Sequence, residues 1–155
     1  MAGTIDARLA DQGIVLPDAP APAANYVPYV RAGDLLFVSG QISQGPAGLI
    51  RGRLGETMDV AEGAEAARRC GLSLLAQARA ACDGDLDRIL RVVKLTGFVN
   101  STGDFTDQPK VINGCSDLMV AVFGEAGRHA RAAVSAPALP LGVAVEIEAV
   151  FQVRP

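Results

Sequence analysis

Few side chains in this sequence can do chemistry, and their spacing narrows what that chemistry could be. Arg131 heads an alternating run, RAAVSA (131–136), in which Arg131, Ala133 and Ser135 share one face of a strand. In VAVEIEAVFQV (143–153), Val143, Val145, Ile147, Ala149 and Phe151 share one face, and Glu146, Glu148 and Gln152 the other. If these strands pair through the 137–142 connection, Arg131 comes to lie near Glu146 or Glu148; a crossover would separate them. A guanidinium is a planar fork for a carboxylate, and a neighbouring glutamate can position or activate water. The same spacing suits an ordinary cross-strand ion pair on a solvated face.

The remaining reactive groups are few. His129 is the one histidine, and Cys70, Cys82 and Cys115 are the thiols. A Cys115–His129 nucleophilic pair is conceivable, but Cys115 falls on the apolar stripe of a helix, where a buried structural thiol is the usual reading. Cys70 and Cys82 point about 120° apart on their helix, so they cannot clamp one metal. A lone histidine without a cysteine or carboxylate cluster argues against zinc.

The elements that must position these groups can be read from periodicity. Residues 4–12 suit a short helix with Thr4 as N-cap, and Gly13 sits where a terminating glycine belongs. LPDAPAPAAN (16–25) is an extended linker because its prolines exclude helix and central strand. Residues 1–24 therefore read as an N-terminal extension, and 25–155 as a single domain. Residues 26–43 form two strands around Ala32-Gly33-Asp34, and Tyr29 and Ser39-Gly40-Gln41 lie at strand ends. The Gly-rich stretch 45–56 lacks a phosphate-binding pattern and reads as a flexible connection.

Asp59 and Glu62 open a helix over 59–82 whose stripe of Val60, Ala64, Ala67, Gly71, Leu74, Ala78 and Ala81 lets it lie close to a sheet. Residues 88–101 are a strand. A second long helix over 107–125 has Pro109 in its first turn and a stripe of Val111, Cys115, Leu118, Val122 and Phe123. Asn113 lies about 150° from that stripe and faces water or another subunit. The order β-β-α-β-α-β-β is an α+β layout with two helices on one sheet face, plus the short N-terminal helix.

Composition excludes several classes of function. In 155 residues, half are hydrophobic, net charge is −3, aromatics make up 5% and tryptophan is absent. Nucleic-acid binding normally needs a basic surface and stacking aromatics, so nucleic acid is not expected as a partner. No run approaches a membrane span. MAGTIDARLADQG lacks a basic patch before an apolar run, so a cytoplasmic protein with reduced thiols is expected. A small, lightly charged, apolar chain has more hydrophobic surface than one small core hides, which implies an oligomer.

Four ordered blocks then carry a resemblance: PYVRAGDLLFVSGQIS (28–43), VVKLTGFVNSTGDF (92–105), RAAV from Arg131, and LPLGVAVEIEAV (139–150). From Asn25 to about Arg154 the chain resembles the Rid family, the reactive intermediate deaminases, also called the YjgF family. The resemblance implies a chorismate-mutase-like α+β fold, a homotrimer with sites between subunits, and hydrolysis of 2-imino and enamine acids to 2-keto acids and ammonia. It implies no metal or cofactor. Arg131 would hold the substrate carboxylate and Glu146 would orient or activate water. Tyr29, Ser39, Gly40 and Asn113 would line the site. Many members carry cysteine where Ala133 stands, so any role there passes to its backbone N–H. A non-catalytic carboxylate-binding or regulatory module is the alternative, and a ribonuclease the weaker one. Retention of both Arg131 and Glu146 favours catalysis, since binding an anion alone needs no carboxylate.

Overall fold

A computed structural model describes residues 3–22 and 24–155. Its main sheet joins β1 (Tyr29–Ala32), β2 (Leu35–Ile42), β5 (Ile89–Asn100), β6 (Ala130–Ala136) and β7 (Val145–Val153) in the order β1-β2-β7-β5-β6. A small hairpin of β3 (Gln44–Gly45) and β4 (Gly48–Leu49) stands beside it. The β5–β6 pair is parallel, and the other pairs of the main sheet are antiparallel. Helices α2 (Val60–Ala81) and α3 (Gln108–Phe123) cover one face, giving the expected α+β architecture with two helices on one side of the sheet.

Alternation along each strand divides the sheet cleanly. On β7, Val145, Ile147, Ala149, Phe151 and Val153 are buried toward the helices, while Glu146, Glu148, Val150 and Gln152 turn to the opposite face. The register carries this division across the sheet: Phe37, Val150, Lys94 and Ala130 form one row of the open face, and Glu146, Phe98 and Val134 another. That face keeps Val30, Phe37 and Val134 about half exposed, so it carries an uncovered apolar patch among Lys94, Glu148 and Gln152.

The helices start and pack as their residues dictate. The Asp59 carboxylate accepts the Glu62 backbone N–H at 2.8 Å and opens α2. Ala66, Ala67, Cys70, Gly71 and Leu74 are buried, and the helix lies close to both the sheet and α3. Gly114 of α3 meets the Ala64 carbonyl of α2, leaving no room for a Cβ.

Two expectations need correction, and one alternative left open by the sequence is decided. The β6 and β7 strands do not pair, because β5 lies between them and 137–142 is a crossover. Pro137 and Pro140 disfavour a tight hairpin there, while the Asn100 amide holds the Val143 carbonyl at 3.1 Å and draws the chain past the end of β5. The 45–56 stretch is not a loose connection: it contains the β3–β4 hairpin, and fully buried Leu54 exchanges backbone bonds with Asn100 and Thr102. At the N-terminus, α1 (Thr4–Asp11) has Gly3 rather than Thr4 at its cap. The Asp87 carboxylate accepts the Thr4 and Ile5 N–H groups at 2.8 Å each, serving as a cap from far along the chain. Ile5, Leu9 and Leu16 join the same core as the sheet and helices.

Gly114→Ala should destabilise the fold, although alanine is the better helix former by roughly 1 kcal/mol. Its methyl would meet backbone of α2, which cannot swing aside, so a net loss of about 1–3 kcal/mol is expected in urea unfolding. Gly103→Ala, in open space, should change stability by less than about 0.5 kcal/mol.

Candidate functional site

Arg131 stands near the start of β6, on the helix side of the sheet and against α3. Its Nη1 donates to Asn113 Oδ1 at 2.8 Å and to Ser116 Oγ at 3.1 Å, and its Nη2 donates to the Pro109 carbonyl at 3.4 Å. Asn113 and Ser116 are three residues apart on α3 and so share a face. All three acceptors are neutral, and no carboxylate pairs with Arg131 among the described residues. The guanidinium is held in place with its charge uncompensated, which suits it to an anion.

A second layer orients this cluster. His129 Nδ1 lies 2.6 Å from the Gly127 carbonyl, which can only accept, so Nδ1 carries the proton. Nε2 is then an acceptor for the Ser116 hydroxyl at 2.9 Å, and the Ser116 oxygen accepts from Arg131. Burial holds the imidazole below its ordinary range, and the Arg131 charge lowers it further against the raising effect of the Gly127 carbonyl. His129 is thus a neutral link that aims Ser116 at the guanidinium. It pairs with Ser116 and not with Cys115, whose buried thiol is pushed up to about 12. Ser116 escaped notice at the level of sequence, although its spacing from Asn113 carries the signal.

Glu146 lies elsewhere in the chain. It is on the open face of β7, with β5 between it and β6. Arg131 aligns with Leu95 of β5 whereas Glu146 aligns with Phe98. Two strand spacings and three residues of rise separate their Cα atoms by roughly 14 Å. The two residues also point to opposite faces of the sheet, so one chain does not bring them together.

Glu146 has surroundings of its own. Desolvation raises its carboxyl above the ordinary glutamate range, and Glu148 on the same face adds to the shift. Gly40 permits the approach, because a Cβ there would collide with the Glu146 carboxylate. The Ser39 hydroxyl donates to the Val27 carbonyl at 2.8 Å and fixes the strand end, and the Gln41 amide donates to the Ser39 carbonyl at 3.0 Å. Glu146, Gly40 and Gln41 line a cavity of about 1200 Å³.

The predicted residues therefore divide into two groups. Arg131 and Asn113 make one cluster at the β6–α3 edge, with Ala133 two residues along β6 on the same face as Arg131. Glu146 and Gly40 make the other, with Ser39 beside them in β2. Tyr29 is half-buried on β1, opposite Val38 and packed against the core. Among the described residues no cluster of His, Cys, Asp and Glu could hold a metal ion.

An α+β sheet with two covering helices, an edge arginine on neutral supports and a strand glutamate beside a glycine defines a recognisable class. Residues 6–151 match the family described as "YjgF/chorismate mutase-like, putative endoribonuclease". Protein TCP17 of Trypanosoma cruzi is 51% identical over 98% of this chain and 96% of its own. Atu1372 of Agrobacterium tumefaciens, a protein of unknown function, superposes with a TM-score of 0.89 at 46% identity, covering 96% of this chain and 92% of that one. E. coli TdcF with bound serine gives a TM-score of 0.61 at 27% identity, covering 88% and 94%. The chain belongs to the YjgF family.

The His129 link has a measurable signature. Nitrogen NMR should find the neutral Nδ1–H tautomer at pH 7, titrating below pH 6.5. Its folded-state value lies below the unfolded one, so the stability it contributes is complete above pH 6.5 and is lost as pH falls through the lowered value. Unfolding free energies across this window should vary less steeply with pH in His129→Gln. An unchanged slope would remove the link.

Proposed function

We propose that this protein hydrolyses 2-imino and enamine acids to 2-keto acids and ammonia, at sites completed between subunits of a homotrimer. The observation that carries the reading is the separation of two chemically complementary half-sites within one chain. An unpaired arginine fork and a glutamate with a raised pKa suit an anionic electrophile, but only if the edge of one subunit meets the cavity of the next. Half-sites on different edges and faces call for a heterologous contact, which closes when repeated around a rotation axis. The half-exposed apolar rows of Val30, Phe37 and Val134 give such an assembly surface to bury. Family membership and the serine held by TdcF support a small amino-acid-like ligand.

The chemistry follows from these groups. Arg131 grips the substrate carboxylate with the donors that Asn113, Ser116 and Pro109 leave over, so C2 of the protonated imine is held beside Glu146 of the adjoining subunit. Glu146 takes a proton from water as the oxygen attacks C2 and the C=N π pair moves to nitrogen. The resulting carbinolamine receives that proton on nitrogen, the C–N bond breaks, and ammonia leaves as the hydroxyl proton passes to Glu146 and the carbonyl forms. An enamine enters the same path after protonation at C3. The raised pKa of Glu146 helps, because a carboxylate that holds a proton more tightly is a better base and can return the proton in the next step.

The deciding experiment couples an imine-generating amino acid oxidase to the protein and follows imine decay. Glu146→Gln should lose about 10²–10⁴-fold in rate, and Arg131→Ala about 10–150-fold in kcat/KM. Mixing the two inactive variants should restore about a quarter of wild-type activity, because a mixed ring regains one native site in three. No recovery in rings shown to exchange subunits would sink the intersubunit site.

Because Glu146 must be ionised to accept a proton, the acid limb of kcat/KM should fall above pH 4.5. Glu148→Gln removes a neighbouring negative charge and should move that limb to lower pH. A limb that stays in place would assign it to another group.

A further inference from the structure

The prolines and alanines at 17–22 are not an idle tether. They line the cavity that holds Glu146, and the fold secures them there. Leu16 is buried in the core at one end. Further along, the Pro20 carbonyl accepts a 2.6 Å hydrogen bond from the Gln77 amide of α2, a side chain only 1% exposed. Gln77 also reaches Gln41 Oε1 at 3.5 Å, next to Gly40 and Glu146. A buried amide thus ties the strap, α2 and β2, the strand that pairs with the glutamate strand, into one unit.

The wall built this way is apolar by construction. Proline has no N–H to donate, and Pro17, Pro20 and Pro22 alternate with short side chains. Across the cavity stand Leu72 of α2 and Leu49 of the β3–β4 hairpin. The charged lining residues are Glu146, Asp18 and Arg69, the last paired with Glu65 at 3.1 Å. The cavity measures about 1200 Å³, as large as the pockets of about 300–1000 Å³ that take drug-sized ligands. A two- or three-carbon imino acid would leave most of it to water. Atu1372 aligns with 96% of this chain and TdcF, which holds serine, with 88%, so part of the chain is matched in the first and not in the second.

We propose that the strap and the hairpin form a side-chain pocket for the Glu146 site, selecting 2-imino acids with long, branched or aromatic apolar side chains over those derived from small amino acids. The inference rests on the deaminase reading for its chemistry and on the cavity for its selectivity. The side chain enters the apolar pocket while the carboxylate remains outside for Arg131, so pocket and fork read opposite ends of one molecule. Selectivity arises because each buried methylene adds transfer free energy that a methyl-sized side chain cannot supply.

Binding of stable 2-oxo acids, the products of the reaction, tests the pocket without catalysis. Titration calorimetry of the full chain with pyruvate, 4-methyl-2-oxopentanoate and phenylpyruvate should give a Kd about tenfold or more lower for the two bulky acids. Ala21→Trp, at an exposed strap position lining the cavity, should bring the three within about twofold while leaving pyruvate unchanged. Leu49→Gln on the half-exposed hairpin should narrow the gap in the same way. Equal affinities in the wild type, or a preference that neither variant alters, would overturn the pocket. A bulky preference without imine hydrolysis would support the pocket and remove the deaminase reading. Hydrolysis that depends on Arg131 but is indifferent to side-chain size would do the reverse.

Discussion

The position of β5 between β6 and β7 governs nearly everything else in this molecule. A central strand twelve residues long pairs in parallel with one neighbour and antiparallel with the other. It thereby carries the arginine strand to one edge and leaves the glutamate strand inside the sheet. The pleat adds a second separation, since Arg131 turns toward the helices and Glu146 away from them. No rotamer change can bridge two strands and a change of face. The same arrangement leaves Val30, Phe37 and Val134 half exposed on one uncovered face of the sheet.

The two charges are tuned in opposite ways. Arg131 is surrounded by neutral oxygens that orient it without cancelling it, and His129 is kept neutral behind them. Glu146 is partly desolvated and lies near a second carboxylate, so its charged form is disfavoured. Pairing the two within one subunit would have relaxed both, giving a well-satisfied ion pair with little left for a ligand. Their separation leaves both groups unrelieved within one chain.

Local features of this architecture are legible in the residues, and distant pairings are not. Asp59 sits three residues before Glu62 and caps α2 as that spacing requires. The alternation of 143–153 correctly divides β7 into buried and open faces. Asn113, placed by angle off the apolar stripe of α3, does reach Arg131. What escapes is whatever depends on a remote group. The cap of α1 comes from Asp87, more than eighty residues away, so Thr4 looks like the cap when only its neighbours are read. The Gly-rich 45–56 stretch looks loose because the anchor at Leu54 lies in Asn100 and Thr102. The pairing of β6 is ambiguous for the same reason: a short connection containing two prolines is compatible with either a hairpin or a step across β5, and only the whole sheet decides.

The buried thiols have a consequence for how the molecule can be handled. Cys70, Cys82 and Cys115 are the full complement of cysteines, all are buried, and burial raises the pKa of each. Thiolate, not thiol, attacks electrophiles, so the folded chain presents almost no soft nucleophile to its surroundings. With the proposed activity, working beside electrophilic imines, such a chain would be spared self-alkylation. The same quiet background means that one cysteine introduced at an exposed loop position such as Gly103, away from the open sheet face, would be the fastest-reacting thiol by a wide margin. Paired donor and acceptor dyes could then follow subunit exchange in the otherwise native chain.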